Sequence, residues 1–263
     1  VMTEKVQYDL ILKNGTVGLP SATTQVDIGI KDEKIHTIGN LSECDTDCCT
    51  DNIIECKGLH VLPGVIDSQV HFREPGLENK ENLESGMLAA AAGGVTAVFE
   101  MPNTDPLTIT PETIKDKLKR ASRVAWTDYA FYLGGTGRTG PNLGKWENAP
   151  GICGIKIFMG ASTGELMTAS DEEVESVLSN GRRVVAVHAE DQYIMQKNMK
   201  DILKDQTDVA LHSVWRSPES CLSATKRVVN IAKKYKRRVH VLHITTSEEM
   251  DFLRKNKDVA SVE

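Results

Sequence analysis

Four polar residues, Asp67, Gln69, His71 and Arg73, stand at every second position of one short segment. In an extended strand alternate side chains share a face, so all four are expected on one side. Polar groups taken out of water need partners or a ligand. Four of them on an otherwise apolar strand exceed what a core ordinarily satisfies. Lys156 lies in the run Gly154-Ile155-Lys156-Ile157-Phe158-Met159, where an unpaired cation is costly. His188 closes Val184-Val185-Ala186-Val187, and His243 closes Val239-His240-Val241-Leu242. One histidine ending one strand is ordinarily structural. Two on separate strands, with a buried lysine and His71 on a third, point instead to imidazole ligands around a divalent ion. His36, His60 and His212 lie away from these strand ends and receive no catalytic role. His240, three residues before His243, is expected to face the opposite side.

The elements that must position these residues change character along the chain. Residues 1–62 read as a small β-sandwich-like domain of short antiparallel strands. Residues 6–13 are β-rich and run into Asn14-Gly15, a dipeptide suited to a hairpin turn. Residues 25–30 alternate polar and apolar, and Asp32-Glu33 turns the chain into 34–39. From residue 63 to 263, strand-like runs alternate with helical patterns. Strands are expected at 65–71, 95–101, 125–132, 155–159, 184–188 and 239–243, with a seventh beginning at 259–262. Helices are expected near 81–93, 111–122, 171–180, 217–235 and 246–256. Thr110-Pro111-Glu112 and Ser170-Asp171-Glu172-Glu173 are helix starts, with a capping hydroxyl followed by proline or acid. Alternating strands and helices imply parallel βαβ units. Polar residues at the strand ends suggest an α/β fold of (β/α)8 barrel type, with its chemistry at the C-terminal rim. Eight strands close such a barrel, so residues 63–263 are expected to be the N-terminal portion of one.

Composition removes several function classes. The 263 residues carry a formal net charge of −6, and 40% of them are hydrophobic. An acidic chain is a poor partner for nucleic acid, which demands clustered cations. The one basic cluster, 233–238, sits at a helix end, where cations favour the macrodipole. No run approaches the ~18 apolar residues of a membrane helix, and no signal-like pattern opens the sequence. The expected setting is cytoplasmic, with a small-molecule substrate, no nucleic acid and no membrane. Cys44, Cys48, Cys49, Cys56, Cys153 and Cys221 are then free thiols, since the spacing of the first four matches no standard zinc pattern.

Several runs together resemble one family. Leu62-Pro63-Gly64-Val65-Ile66-Asp67, His71-Phe72-Arg73-Glu74-Pro75-Gly76, Gly93-Gly94-Val95-Thr96 and Met101-Pro102-Asn103-Thr104 are similar, in order, to the dihydroorotase branch of the amidohydrolase superfamily. The resemblance runs from about residue 6 to the C-terminus. It implies a metal-dependent TIM-like barrel that hydrolyses cyclic amides and interconverts dihydroorotate and N-carbamoyl-aspartate in pyrimidine biosynthesis. It implies one or two Zn2+ ions per subunit, with Lys156 carboxylated as a bridging ligand and His71, His188 and His243 as histidine ligands. Arg73 and Asn103 match the pair that grips the substrate carboxylate, a role that suits a planar guanidinium. An aspartate on the eighth strand serves as general base, and no residue of this chain matches it, so the chain alone is expected to be inactive. The family implies a homodimer and admits aspartate carbamoyltransferase as a partner.

One residue departs from the family pattern. Its first strand reads Asp-x-His-x-His, and here Gln69 replaces the first histidine. An amide oxygen is a weaker zinc ligand than imidazole. The expectation is one well-filled metal site, from Lys156, His188 and His243, and a weak second site in which Gln69 takes part. Two other readings stand beside the first: an allantoinase- or hydantoinase-like enzyme for another ring, and a silent homologue that scaffolds a partner enzyme. Three further runs get plain readings. Residues 134–140 are expected to form a flexible rim loop, residues 160–164 a mobile loop near the substrate, and Glu190-Asp191 the start of a helix.

Overall fold

A computed structural model describes residues 6–41, 50, 52–161, 164–203 and 208–263. The chain divides into two compact units, Val1–Gly64 and Val65–Glu263. The first is one five-stranded sheet among its described residues. Its strands are β1 (Leu10–Gly18), β2 (Thr23–Lys31), β3 (Lys34–Gly39), β4 (Ile53–Glu55) and β5 (His60–Val61). The order is β3-β2-β1-β4, with β5 also on β1. The sheet is mixed: β1, β2 and β3 pair antiparallel, whereas β4 and β5 run parallel to β1. Strands expected to be antiparallel throughout thus form a mixed sheet among the described residues.

Asn14-Gly15 does not make the expected hairpin turn. β1 runs through it with a register shift between Leu12 and Gly15. Asn14 takes a left-handed φ of 59°, a conformation asparagine tolerates well. Its backbone N–H donates to the buried Asp27 carboxylate at 2.7 Å, and its side-chain amide donates to Glu55 at 2.9 Å. Those tertiary bonds convert a turn signal into a bulge. The chain reverses later, where the Leu19 amide donates to the Ala22 carbonyl. Of the cysteines, Cys56, Cys153 and Cys221 are free thiols; Cys44, Cys48 and Cys49 lie outside the described residues.

Among its described residues the second unit is an α/β fold built on a seven-stranded parallel sheet. Its strands are β6 (Val65–Val70), β7 (Val95–Glu100), β8 (Asp128–Gly134), β9 (Ile152–Phe158), β10 (Val185–His188), β11 (Val239–Val241) and β12 (Ala260–Val262), each beside its sequence neighbour. The helices between them are α1 (Leu83–Ala92), α2 (Pro111–Ala121), α3 (Gly140–Trp146), α4 (Asp171–Leu178), α5 (Gln192–Asn198), α6 (His212–Trp215), α7 (Pro218–Tyr235) and α8 (Ser247–Arg254). The strand and helix alternation follows the sequence pattern closely. Thr110 and Ser170 cap α2 and α4 as reciprocal capping boxes, with Thr113 and Glu173 as partners. The helix starts at Gly140 and His212 were not anticipated, whereas α5 opens at Asp191 as Glu190-Asp191 suggested.

Burial explains the strand sequences. Ile155, Ile157, Val185, Val187, Val239 and Val241 face the helices, packing with Val174, Val177, Ala224 and Val228 in one core. Each such side chain contributes about 1.5–3 kcal/mol on burial. The intervening positions face inward, where Met101, Tyr132, Ala186 and Leu242 form a smaller cluster. The sheet is curled: Ser68 on β6 donates to the Glu263 carboxylate, just past β12, at 2.8 Å. It forms an incomplete TIM-like barrel. The 134–140 segment is no loose loop. Gly134, Gly135, Thr136 and Thr139 are buried, and the Thr136 amide donates to the Thr139 hydroxyl at 2.9 Å.

Candidate functional site

Parallel pairing sets the inner face of the sheet at its C-terminal end. Lys156 on β9 lies opposite Ala186 on β10, and Phe158 lies opposite His188. Lys156 and His188 therefore point to the same side one step apart, which is what alternation on a strand requires. Gln69, His71, Lys156, His188 and His243 line a single cavity of about 560 Å3, with Glu190, His212 and Arg216 on its wall.

Two of these histidines meet directly. His188 Nδ1 and His243 Nε2 stand 3.1 Å apart. Two nitrogens bound to one tetrahedral zinc at 2.0–2.1 Å are about 3.3 Å apart, so this pair already has nearly the spacing of a metal-ligand edge. His243 reaches that place from an unusual backbone: β11 ends at Val241, and His243 has a φ of +44°. A left-handed histidine is uncommon, and such strain concentrates at functional positions. Burial, together with the charges of His188 and Lys156, holds the His243 imidazole down at about 4. It is therefore neutral near pH 7, the form that binds metal.

The rest of His188 is fixed from behind. Its Nε2–H donates to Glu190 at 2.5 Å. Arg216 grips the same carboxylate with two groups, Nε to Oε1 at 2.8 Å and Nη2 to Oε2. Burial alone would raise the Glu190 carboxyl, but the bonds from His188 and Arg216 win and bring it to about 2. Because a carboxylate only accepts, Nε2 carries the proton and Nδ1 is left to face His243. Glu190-Asp191 was expected to open a helix, and Asp191 does so as the cap of α5, accepting from the Tyr193 and Ile194 amides, while Glu190 turns to His188.

Lys156 is 1% exposed. Its ammonium lies 4.5 Å from the Phe158 ring centroid, and among the described residues no carboxylate forms an ion pair with it. Burial brings its amine down to about 7. A neutral amine at physiological pH is the form that reacts with carbon dioxide. Among the described residues, no three His, Cys, Asp or Glu side chains converge into a metal cage. The His188–His243 pair therefore needs a further donor, and Lys156 beside it supplies one if it becomes an anionic carbamate. The donor set fits a divalent ion on those terms.

The first strand behaves differently from its alternating pattern. β6 ends at Val70, and its pairing with β7 shifts between Asp67 and Val70. That bulge breaks the strict alternation of Asp67, Gln69, His71 and Arg73. Asp67 is exposed and accepts the Gln69 amide at 3.1 Å, while Arg73 has a φ of +68°. His71 Nδ1 bonds Asn103 Oδ1 at 2.9 Å, which leaves Nε2 free. Burial and the nearby Arg73 charge lower the His71 imidazole to about 4. Arg73 and Asn103 thus both adjoin His71, although neither lines the cavity wall. His36 and His60 lie in the first unit. His212, set aside on sequence position, is part of the wall, and only the tertiary fold could reveal it.

A family profile described as Dihydro-orotase-like matches residues 58–137. The chain is 32% identical over 259 residues to a dihydroorotase of Methanosarcina acetivorans, covering 97% of this chain and 54% of that protein. It is 30% identical to an allantoinase of Bacillus velezensis, over 91% of this chain and 53% of that one. Among solved structures, an L-hydantoinase from Arthrobacter aurescens superposes with a TM-score of 0.89 at 27% identity, over 97% of this chain and 58% of its own. The chain spans about half the length of these relatives. In sequence and fold the chain is similar to dihydroorotases, an allantoinase and hydantoinases.

Proposed function

We propose that this chain carries the metal-binding half of a hydrolase that interconverts dihydroorotate and N-carbamoyl-aspartate. The reading rests on one observation above others: His71, Lys156, His188 and His243, from four strand ends, converge on one cavity. His188 and His243 would hold a divalent ion, zinc by its preference for imidazole, with a carboxylated Lys156 beside them. A bound ion of this kind supplies a nucleophilic water near neutral pH and polarises a ring carbonyl. The chain's own residues do the rest. Glu190 orients His188, and Asn103 orients His71. The buried wall around Lys156 limits water, which strengthens every charge interaction inside.

Arg73 favours the dihydroorotate reading over other rings. Among the described residues no carboxylate pairs with its guanidinium, and it adjoins His71 at the site's edge. A substrate carboxylate would supply both acceptors that its planar fork calls for. A hydantoin or allantoin ring lacks that carboxylate. Gln69 supports a second reading, a homologue that binds metal weakly and serves a partner enzyme. Cyclisation of carbamoyl-aspartate by the whole protein, with and without zinc, separates these readings. Zinc-dependent turnover that Arg73→Met suppresses supports the first. Turnover of hydantoin or allantoin alone, or none with full metal occupancy, rejects it.

A further inference from the structure

We infer that Glu190, clamped by Arg216, is a positioning residue that holds His188 in its metal-ready orientation. The inference rests on the metal reading given above. His188 ends β10 and has only its ring rotation left to set once Val187 is packed. Its Nε2–H donates to Glu190 Oε2 at 2.5 Å, and that bond fixes both the ring plane and the nitrogen that bears the proton. The opposite nitrogen, Nδ1, then points at His243 Nε2 at 3.1 Å.

Glu190 could not do this alone. A free carboxylate rotates and trades partners with water. Here Arg216 engages both oxygens through Nε and Nη2, and the planar fork fixes the carboxylate plane. Glu190 is 8% exposed and Arg216 28%, so the pair is largely sheltered from competing solvent. Arg216 sits between α6 and α7, whereas His188 and Glu190 sit at β10. The clamp therefore ties the tip of β10 to the junction between α6 and α7. Asp191, next in sequence, is occupied elsewhere: it caps α5 and accepts from Ser223 and Arg227. The division of labour between adjacent acids is thus visible in their bonds. A carboxylate behind a metal-binding imidazole raises its basicity and fixes its tautomer, and loss of such a group typically weakens metal binding 10–100-fold.

The test uses the whole protein and cobalt(II) as the probe, followed by its visible absorption. Glu190→Gln is expected to weaken cobalt binding about 10–100-fold, and Arg216→Gln is expected to fall between it and the native chain. In the metal-free protein, proton NMR should show a far-downfield His188 Nε2–H signal that Glu190→Gln loses. A purely structural role would lower the urea midpoint without moving the cobalt affinity of the folded protein. If Glu190→Gln does not fold, Arg216→Gln carries the same comparison. Native cobalt affinity and an unchanged imidazole signal in the folded variants would overturn the inference while leaving the metal reading intact. A native chain that takes up no cobalt would overturn both.

Discussion

Replacing Lys156 by methionine should stabilise the metal-free protein. The lysine is 1% exposed, and burial holds its amine at about 7 rather than 10.5. At about 1.4 kcal/mol for each tenfold change in proton affinity, this corresponds to roughly 4–5 kcal/mol against the folded state. Water entry and local relaxation reduce such penalties, so roughly 2–4 kcal/mol is the expected gain. Methionine keeps the length of the side chain and avoids a cavity. The pH dependence is distinctive. The folded amine loses its proton more readily than the unfolded one, so the penalty is complete below pH 7. It fades as pH rises from about 7 to 10.5, because there the unfolded chain holds more protons. Urea unfolding at pH 6.5, 8 and 9.5, without metal or bicarbonate, should show the methionine advantage largest at the lowest pH. An advantage that grew with pH, or a methionine variant no more stable than the native chain at pH 6.5, would mean that the buried amine carries no such penalty. The same variant should lose the response to bicarbonate and zinc, because carboxylation is the other way to remove the buried cation.

Three further outcomes follow from other contacts. His243→Ala should abolish tight zinc uptake, measured by metal analysis after dialysis, because it removes one side of the 3.1 Å imidazole pair; unchanged uptake would place the metal elsewhere. Gln69→His in the whole protein should raise zinc content from about one toward two ions per chain, as a stronger donor enters the first-strand site; a constant content would mean that Gln69 does not limit it. The buried Lys117–Glu100 ion pair, each partner 1% exposed, should behave as a coupled unit in urea melts. Lys117→Met alone should cost about 3–5 kcal/mol by stranding the carboxylate, and adding Glu100→Leu should recover most of the loss.

The parallel sheet could be read from the sequence because its strands are apolar on both faces, and because hydroxyl caps mark where helices begin. Val185 to His188 and Val239 to Val241 carry their own signal in this way. Ligand candidates were legible for the same reason: a lysine or histidine inside or closing such a run is conspicuous. Asn14-Gly15 misled because its turn preference is local, whereas the Asp27 and Glu55 acceptors that hold it in a strand are supplied by the fold. The alternation of residues 67–73 misled because one bulge in β6 is enough to break it. Arg216 and His212 had no local mark at all. They reach the cavity only because the chain between β10 and β11 folds back over the strand ends, which no periodicity encodes.

On the proposed reading, His188 and His243 share one ion with Lys156 beside them. Crystals of the zinc-loaded chain, measured on both sides of the zinc absorption edge, address it directly. One strong anomalous peak is expected about 2.0–2.1 Å from both His188 Nδ1 and His243 Nε2. Zinc bound elsewhere, with the two imidazoles still hydrogen-bonded to each other, would contradict it.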